Sequence, residues 1–430
     1  MSVFFMTKQL KSGQFNVKII GNDCGVDALN YITEKVREIP VKESCDVLVA
    51  GGGIAGISAA IAAAREGAKV TLIEREYTLG GLATLGLIAI YLPLCDGKGR
   101  QVSFGIAEEL LRLSIRYGTE RREDTPAMKA WLSYEIDMNK RKKYRFAAQY
   151  NPHTFAIECE QMLINLGVKI IYGTVAVAAQ TEDDKITHVV IENKSGRSAI
   201  AVKSVVDATG DADICKVSGA ATELFEKGNS LASWYYYFKS GKVRLRLLGA
   251  IDDPDNPDQE GKLSDRKFSG VDGDELSEMT VLAHAEMLKD IDSHRKDNPE
   301  YVPVCLPTIP QVRTTRRIVG VVTSEIDDMH KRVESSIGMV GDWRKRGPVY
   351  ELPFEILYGK EVKNLITAGR CISATDEMVE VTRVIPACAV TGQAAGIAAT
   401  MTDDFASLDI SELQKKLVAS GVKLHEDELK

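Results

Sequence analysis

Residues 46–74 read DVLVAGGGIAGISAAIAAAREGAKVTLIE, and this stretch decides the fold. It opens with an apolar run at 46–50 that is typical of a buried parallel strand. An Ala- and Ile-rich segment predicts a helix over 55–66, and a second strand is predicted at 69–74, ending in an acid. The order strand, helix, strand predicts one βαβ unit of a parallel sheet.

The loop of this unit, Gly51–Gly56, satisfies the pattern G-x-G-x-x-G. Gly51 permits the tight turn, Gly53 lets the backbone approach a pyrophosphate, and Gly56 allows the helix and the strand to pack closely. The helix N-terminus presents its positive end to the same point. Glu74 follows about 20 residues on, where an acid hydrogen-bonds a ribose 2′-OH and repels a 2′-phosphate. The pattern predicts a site for an adenine dinucleotide.

FAD and NAD share this pattern, and two later features favour FAD. A second glycine pair, in Gly80–Thr84, can pass beside a cofactor that extends toward the centre of the sheet. Far downstream, residues 365–370 predict another strand that runs into glycine, and a helix begins near Pro386. The N-terminus of that helix can stabilise the negative charge of a reduced flavin.

Composition and charge limit the classes of protein. A chain of 430 residues with 44% hydrophobic residues exceeds one simple core, so two interleaved domains are expected. The net charge of −7 disfavours nucleic-acid binding. No apolar run reaches membrane-spanning length and no secretory signal is recognisable, so no membrane partner and a cytoplasmic location are predicted. The eight cysteines include no Cys-x-x-Cys, which predicts reduced thiols and no metal site.

The predicted fold class is α/β, with a Rossmann-like FAD-binding domain around a parallel central sheet and a mixed β/α substrate or cap domain. The expected boundaries are an N-terminal extension (1–44), three parts of the FAD-binding domain (45–115, 151–227 and 351–430), an inserted segment (116–150) and the cap (228–350). Further strands are predicted at 16–20, 168–172, 204–208 and 364–368, a hairpin turn at 194–196, and further helices at 26–36, 154–166, 275–290 and 386–401.

At these motifs the sequence resembles the FAD-dependent oxidoreductase family of glutathione-reductase-like fold, over most of residues 40–425. It is similar in particular to a subgroup with GG(M/L)AT and GRCISAT stretches, which here are Gly80–Thr84 and Gly369–Thr375. The resemblance implies a non-covalent FAD. The cofactor residues predicted from the motifs and the resemblance are Gly51, Gly52, Gly53, Ile54, Ala55, Gly56, Glu74, Arg75, Gly80, Gly81, Leu82, Ala83, Thr84, Ala208, Thr209, Gly210, Asp211, Gly369, Arg370, Pro386 and Ala387.

The sequence departs from the family in two places. The subgroup often has histidine where this chain has Asp376, so a histidine acid/base role does not carry over. Members of the wider fold that reduce disulfides have Cys-x-x-x-x-Cys after the second glycine pair, whereas here Cys95 stands alone. Disulfide reduction is therefore disfavoured. A second G-x-G-x-x-G in a βαβ setting is absent, so a separate NAD(P)H domain is not expected.

Candidate catalytic residues are charged or phenolic side chains near the motifs. Arg313 and Arg317, with Arg316 between them, can clamp an anion or can form a salt-bridged face. Arg383 can reach the flavin carbonyls or the substrate. The acid/base candidates are Asp376, Glu377 and Tyr350, for which an exposed loop is the simpler interpretation of the two carboxylates.

Two further stretches have alternative interpretations. Trp234–Phe238 forms either a wall over the flavin or an alternating core strand, in which only half of the aromatic side chains face the site. Lys140–Lys143 is either a solvated loop or a docking patch for an acidic partner.

The predicted function is hydride transfer between a small polar substrate, at a C–OH or C–N bond, and flavin N5. Reoxidation by oxygen, a quinone or a protein would complete the cycle. Two alternatives stay open: reduction of an activated C=C bond with an external electron donor, and an electron-transfer subunit without its own small-molecule substrate. A cap that encloses converging Arg and Asp side chains favours catalysis. A flavin edge exposed near Lys140–Lys143 favours electron transfer. The sequence leaves the substrate, electron acceptor and oligomeric state open.

Overall fold

The computed structural model describes residues 34, 36–117, 131, 137–145, 147–249 and 262–429. The chain divides into two units, 1–38 and 39–430, and the fold described below is that of the second unit. The predicted strand at 16–20 lies outside the described residues, as does the predicted helix at 26–36 apart from Glu34 and Val36.

The described part of the chain contains both strands and helices, which alternate at β1–α1–β2 and run as consecutive strands elsewhere. The strands are β1 (Val41–Ala50), β2 (Val70–Ile73), β3 (Ile90–Tyr91), β4 (Ala148–Gln149), β5 (Lys169–Ile171), β6 (Val175–Glu182), β7 (Lys185–Asn193), β8 (Gly196–Asp207), β9 (Thr222–Leu224), β10 (Asn229–Ser230), β11 (Tyr235–Lys239), β12 (Lys242–Arg246), β13 (Lys267–Phe268), β14 (Val302–Cys305), β15 (Arg316–Ile318), β16 (Ser336–Gly341), β17 (Val349–Pro353) and β18 (Leu365–Thr367). The α-helices are α1 (Ile54–Arg65), α2 (Ile106–Ile115), α3 (Met138–Lys143), α4 (Pro152–Asn165), α5 (Asp213–Ser218), α6 (Gly273–Asp297), α7 (Val379–Thr382), α8 (Ile385–Met401) and α9 (Ile410–Ala419).

The central sheet is rich in parallel strands, which confirms the predicted fold class. β5, β2, β1 and β8 are parallel neighbours, and β18 adds a further parallel pairing to β8. On its other edge the first half of β8 pairs antiparallel with β7, which pairs antiparallel with β6. The sheet is therefore mixed, because the hairpin predicted at 194–196 joins β7 to β8 and extends the sheet on one side.

The longest predicted elements agree with the structure to within a few residues at most ends. β1 begins five residues earlier than predicted, because Val41 to Cys45 run alongside the first half of β8. α6 ends seven residues later than predicted, since Met287 and Ile291 are buried against Tyr235 and Tyr301 in the cap. No helix in the described ranges is long and apolar enough to cross a bilayer.

Two buried helices, α1 and α8, pack backbone to backbone under the sheet. A Cβ added to Gly392 would lie 2.3 Å from the carbonyl oxygen of Ala55, and one added to Gly396 would lie 2.2 Å from that of Ala59. Both distances are far below van der Waals contact, so only glycine permits this approach. The contact aligns the N-termini of α1 and α8, which both reach the site described below.

We expect Gly396→Ala to destabilise the protein, because the added methyl group meets backbone that can move only with a whole helix. Overpacking of this kind costs about 1–3 kcal/mol in the free energy of unfolding. Urea denaturation followed by circular dichroism measures the effect. Gly273→Ala is the matched control, since a Cβ on Gly273 meets open space. Equal midpoints for the two variants would contradict the close packing of α1 and α8.

Within residues 228–350, the predicted cap, β11 pairs with β12 and β14 in a small sheet, and β11 and α6 contribute to a core of their own. The Tyr235 hydroxyl lies 2.6 Å from Asp290 of α6, whereas the Tyr236 hydroxyl donates across to the Tyr150 carbonyl at 3.0 Å. The aromatic stretch therefore alternates, as one of the two interpretations expected. Of that stretch, Trp234 lines the large cavity described next.

Candidate active site

A cavity of about 550 Å³ opens at the carboxyl ends of β1, β2, β8 and β18. Ligands of open α/β sheets bind at this edge, outside the strand ends. The residues that line the cavity are Gly51, Gly53, Ile54, Ala55, Glu74, Arg75, Glu76, Gly80, Gly81, Leu82, Ala83, Ile88, Ile90, Leu92, Pro93, Arg145, Ala147, Ala208, Thr209, Gly210, Asp211, Trp234, Leu247, Gly270, Leu276, Ile309, Pro310, Val312, Arg313, Trp343, Ala368, Gly369, Arg370, Arg383, Val384, Ile385 and Cys388.

The three glycines of the first loop have different tasks. Gly51 has a φ of +102°, and a Cβ there would lie 2.4 Å from the Ala208 carbonyl oxygen. A Cβ on Gly56 would lie 1.8 Å from the Gly51 carbonyl oxygen. Gly53 differs, because a Cβ there meets nothing within 4 Å although the residue lines the cavity. Gly51 and Gly56 thus permit the fold, whereas Gly53 keeps space open for a ligand.

Glu74 is held by backbone donors at the end of β2. The Gly52 N–H donates to its Oε2 at 2.6 Å, and the Glu76 N–H donates to its Oε1 at 2.8 Å. Burial raises the pKa of this carboxyl group above its ordinary value. A buried carboxylate oriented in this way next to a glycine loop can accept hydrogen bonds from ribose hydroxyl groups.

The turn after β8 is anchored by Asp207, which is fully buried. Its carboxylate accepts hydrogen bonds from the Thr209 hydroxyl at 2.7 Å and from the Cys215 N–H at 3.0 Å. Asp211 lies at the end of the turn and pairs with Arg370 at 3.2 Å and with Arg75 at 3.7 Å. The pairs place two cations at the cavity beside the glycine loop, where a diphosphate would lie.

The N-terminus of α8 forms a further part of the cavity wall. Val384 and Ile385 line the cavity, and Cys388 follows one turn later. Pro386 and Ala387, which were predicted to bind the cofactor, lie in the same first turn but do not line the cavity. The positive end of this helix favours negative charge on a ligand in contact with it.

Arg383 precedes α8 and is fixed by the buried Glu380. Its Nε lies 3.1 Å from Glu380, its Nη2 contacts the same oxygen, and Lys227 pairs with the other oxygen at 3.0 Å. Burial by itself would raise the pKa of Glu380, but the two cations outweigh burial and lower it to about 2. Trp343 completes the cluster, since its indole N–H donates to the Glu380 carbonyl at 2.9 Å.

The predicted catalytic residues divide into two groups. Arg313 and Arg383 line the cavity, whereas Arg317, Tyr350, Asp376 and Glu377 do not. The neighbouring arginine Arg316 donates to the Asp211 carbonyl instead.

The contacts of the four predicted residues outside the cavity explain their positions. Arg317 on β15 pairs with Glu223 at 2.5 Å. Tyr350 on β17 belongs to the main core, and burial raises its pKa to about 12. Asp376 accepts the Lys227 backbone N–H at 3.2 Å, and Glu377 is exposed. Acid/base roles for these residues therefore have no support from the cavity.

Most of the predicted cofactor residues line the cavity, with a few exceptions. Besides Pro386 and Ala387, the exceptions are Gly52, Gly56 and Thr84, which do not line the cavity. Thr84 is buried and donates its hydroxyl to the Leu79 carbonyl at 2.6 Å, which holds the second glycine loop.

Many cavity residues are not marked by any sequence motif, and Arg145 and Trp343 are two of them. Arg145 follows the basic run Lys140–Lys143, whose Arg141 is buried with its guanidinium 4.6 Å from the ring of Trp131. The charge pattern of the sequence marks Lys140–Lys143 as a basic run, but it does not show that the nearby Arg145 is the residue that reaches the cavity. Trp343 follows β16, and only the tertiary contact with Glu380 brings it to the site.

A family model described as FAD dependent oxidoreductase matches residues 46–233 and 246–417. The chain belongs to this family. FAD is therefore its cofactor, and the protein is a flavoprotein oxidoreductase.

Curated relatives match short segments. An iron-sulfur subunit of the CoB–CoM heterodisulfide reductase of Methanopyrus kandleri is 47% identical over 51 residues, 11% of this chain and 8% of the relative. The thioredoxin reductase of Ureaplasma parvum is 28% identical over 74 residues, 17% of this chain and 24% of the relative. The matches thus cover less than a quarter of the length of each relative.

Solved structures are similar over longer stretches at low identity. The 3-ketosteroid-Δ4-(5α)-dehydrogenase of Rhodococcus jostii is 14% identical, with 84% of this chain and 97% of that chain covered and a TM-score of 0.41. A geranylgeranyl bacteriochlorophyll reductase-like protein of Thermoplasma acidophilum is 15% identical, with 88% and 87% covered and a TM-score of 0.43.

The cavity fits FAD in three respects that are independent of the family match. Gly53 leaves open the space that a pyrophosphate needs, and Glu74 presents a carboxylate where a ribose would lie. The N-terminus of α8 lies on the same cavity, where it can face the pyrimidine end of a flavin. FAD, when bound in this cavity, would supply the redox chemistry of the protein.

Proposed function

We propose that the protein oxidises a C–N bond, or less readily a C–OH bond, of a small polar substrate by hydride transfer to flavin N5. The observation that carries the proposal is the composition of the cavity wall away from Glu74 and Asp211. Apolar and aromatic side chains line the cavity there together with three arginines, Arg145, Arg313 and Arg383. A wall of this kind excludes water and orients a polar substrate, which is the protein's main contribution to flavin chemistry.

The preference for a C–N bond rests on the lack of a base in the described cavity lining other than three carboxylates near the glycine loop. The carboxylates that line the cavity are Glu74, Glu76 and Asp211, and the described lining includes no histidine or tyrosine. Removal of a hydride from an alcohol requires a base within hydrogen-bond reach of its hydroxyl proton. An amine can lose its proton to water before it binds and then needs no base from the protein.

The arginine cluster also bears on the two alternatives. Arginines could polarise a carboxylate or carbonyl group conjugated to a C=C bond, so reduction of such a bond is our second candidate. A pure electron-transfer role has less support, because the apolar side chains of Trp234, Leu247 and Leu276 line the cavity and can enclose a small substrate. Such a role would instead favour a flavin edge open to a partner near Lys140–Lys143.

Disulfide chemistry is not part of the proposal, although the two curated relatives are named as reductases of disulfides or thioredoxin. Cys95 is buried in the core, and the one cysteine of the described cavity lining is Cys388. Burial raises the pKa of the Cys388 thiol to about 12, which disfavours the reactive thiolate. We also infer that FAD is bound non-covalently, that the chain belongs to the GG(M/L)AT and GRCISAT subgroup, and that it acts in the cytoplasm.

Anaerobic mixing of the FAD-loaded protein with candidate substrates tests the proposal. We expect at least one small amine or amino acid to bleach the visible absorbance of the flavin. Deuterium at the reacting carbon should slow the bleaching, because the C–H bond breaks in that step. Arg244→Gln, an exposed change on β12, should leave the rate unchanged.

Two other results would count against the proposal. Bleaching by a reduced protein partner, with no response to any small molecule, would favour electron transfer. Reoxidation of chemically reduced protein by an α,β-unsaturated acid, without any oxidative half-reaction, would favour C=C reduction.

A further inference from the structure

Five exposed cations lie together on the surface of the protein near the cavity. They come from three separate segments of the chain and are Lys98, Lys142, Lys143, Lys345 and Arg346. Two of the segments are in direct contact, because the Arg346 Nη1 donates to the Lys142 carbonyl at 3.5 Å. We refer to these five residues as the basic patch.

Glycines bring the third segment of the basic patch close to the other two. A Cβ on Gly99 would lie 3.1 Å from the Cγ of Lys142, and one on Gly347 would lie 2.7 Å from the Nζ of Lys98. The backbone beside Lys98 thus contacts Lys142, and the Lys98 side chain lies against the backbone next to Arg346. The five cations therefore form one continuous surface.

The positive charge of the basic patch is not neutralised by the protein. The described residues include no acid that pairs with any of its five cations. The nearby acids are already paired with other cations: Asp96 with Arg100, Asp137 with Lys140 and Asp342 with Arg344. Elsewhere exposed lysines do pair, as Lys203 does with Asp46. A chain with a net charge of −7 thus concentrates positive charge at one place, and such a field attracts acidic partners.

The basic patch borders the cavity. Arg145, two residues after Lys143, lines the cavity, and so does Trp343, two residues before Lys345. The Trp343 indole N–H is bound to the Glu380 carbonyl, five residues before α8 begins. The flavin ring is expected at this part of the cavity, because the N-terminus of α8 can face its pyrimidine end. A protein on the basic patch would therefore lie close to the ring without entering the cavity.

We propose that the basic patch docks an acidic one-electron carrier protein, which takes up the electrons that substrate oxidation releases. The proposal rests on the proposed function, to which it adds the electron acceptor. Oxidation of an amine to an imine releases two electrons and two protons. Two carriers accept one electron each, and the protons pass to water.

A protein fits the basic patch better than other anions. Stable binding to a membrane combines basic charge with inserted apolar groups, whereas the described residues of the three segments expose no large apolar side chain. A small anion at an exposed surface gains little from single charge pairs. Carrier proteins, in contrast, dock through small interfaces whose charges are complementary.

Two carrier proteins of opposite charge test the proposal on the FAD-loaded protein. Plant plastocyanin is an acidic blue-copper protein, and mitochondrial cytochrome c is a basic haem protein. Each is titrated in its oxidised form, without substrate, and binding is followed by surface plasmon resonance. At low ionic strength we expect plastocyanin to bind at least about tenfold more tightly than cytochrome c. High salt should remove this preference, because it screens the attraction.

Charge-reversed variants then assign the binding to the basic patch. Lys142→Glu and Lys345→Glu should each weaken plastocyanin binding about fivefold or more at low ionic strength. Lys194→Glu is the matched control, because it makes the same change in net charge at the exposed turn before β8, whose other end reaches the cavity. It should change the affinity less than about twofold. FAD content should stay the same in all three variants, since none of these lysines lines the cavity.

Three results would overturn the proposal. They are equal affinity for the two carriers, an equal effect of Lys194→Glu, or binding to vesicles of phosphatidylcholine and phosphatidylserine in place of plastocyanin. The last would assign the basic patch to a membrane surface. Because the titration involves no substrate, its outcome is independent of the proposed reaction. Binding of plastocyanin at the basic patch of a protein that no amine reduces would uphold the docking surface and refute the function.

Discussion

Gly53→Val is expected to remove FAD from the protein and to leave the fold intact. The Gly53 backbone is extended and its Cβ position is open, so valine fits the chain itself. The same open space is part of the cavity, where the side chain would occupy the position of the pyrophosphate. We expect FAD affinity to fall at least a hundredfold, about 2.7 kcal/mol in binding free energy. Retention of FAD on a desalting column and thermal melting of the apoprotein measure the two effects.

Gly56→Ala is the informative comparison, because it lies in the same motif and fails for another reason. Its Cβ would lie 1.8 Å from the Gly51 carbonyl oxygen, so the apoprotein itself should be destabilised. Gly53→Val should melt within about 1 °C of the unmodified apoprotein, which in a chain of 430 residues corresponds to a loss of about 1 kcal/mol or less. If Gly53→Val retained FAD, or if it unfolded as readily as Gly56→Ala, Gly53 would not be the residue that keeps space open for the cofactor.

Glu380→Gln is expected to destabilise the protein strongly at neutral pH. The Arg383 side chain is 13% exposed, and removal of the charge on Glu380 leaves that guanidinium buried without its partner. Breaking a buried ion pair from one side costs about 3–5 kcal/mol in the free energy of unfolding. Glu377→Gln is the matched control, because it makes the same change three residues away on an exposed side chain.

The ion pairs of Glu380 also make the free energy of unfolding depend on pH in a predictable direction. In the folded protein Arg383 and Lys227 overcome the effect of burial and lower the pKa of Glu380 from 4.5 to about 2. A lowered pKa means that the stabilisation is complete above pH 4.5 and is lost as the pH falls toward 2. The loss amounts to about 3 kcal/mol. Denaturation curves at pH 7, 4 and 3 should show the part of this loss that occurs above pH 3, about 2 kcal/mol, in the unmodified protein and in Glu377→Gln. If Glu380→Gln showed the same loss, Glu380 would not be its source.

The parts of the fold that local patterns determine could be predicted from the sequence. The β1–α1–β2 unit depends on short-range signals, namely an apolar strand, three spaced glycines and the acid Glu74, and each of these is found at its expected place. The mixed sheet was harder to predict, because β8 is long enough to pair with β7 along its first half and β18 along its second. Nothing local in the sequence of β8 marks this division.

The cavity wall was predicted only in part, because it depends on which residues of distant elements meet. Arg313 and Arg383 were identified by charge near a motif, and both line the cavity. Asp376 was selected in the same way, but its carboxylate instead accepts the Lys227 backbone N–H. Sequence adjacency to a cofactor-binding strand therefore identifies candidates, and the partner contacts decide among them.

The most direct test of the account is the absorbance spectrum of the purified protein before and after heat release of its chromophore. We expect the two visible bands of oxidised flavin and the recovery of FAD in the supernatant, as the proposed non-covalent binding requires. A colourless protein that takes up no added FAD would contradict it.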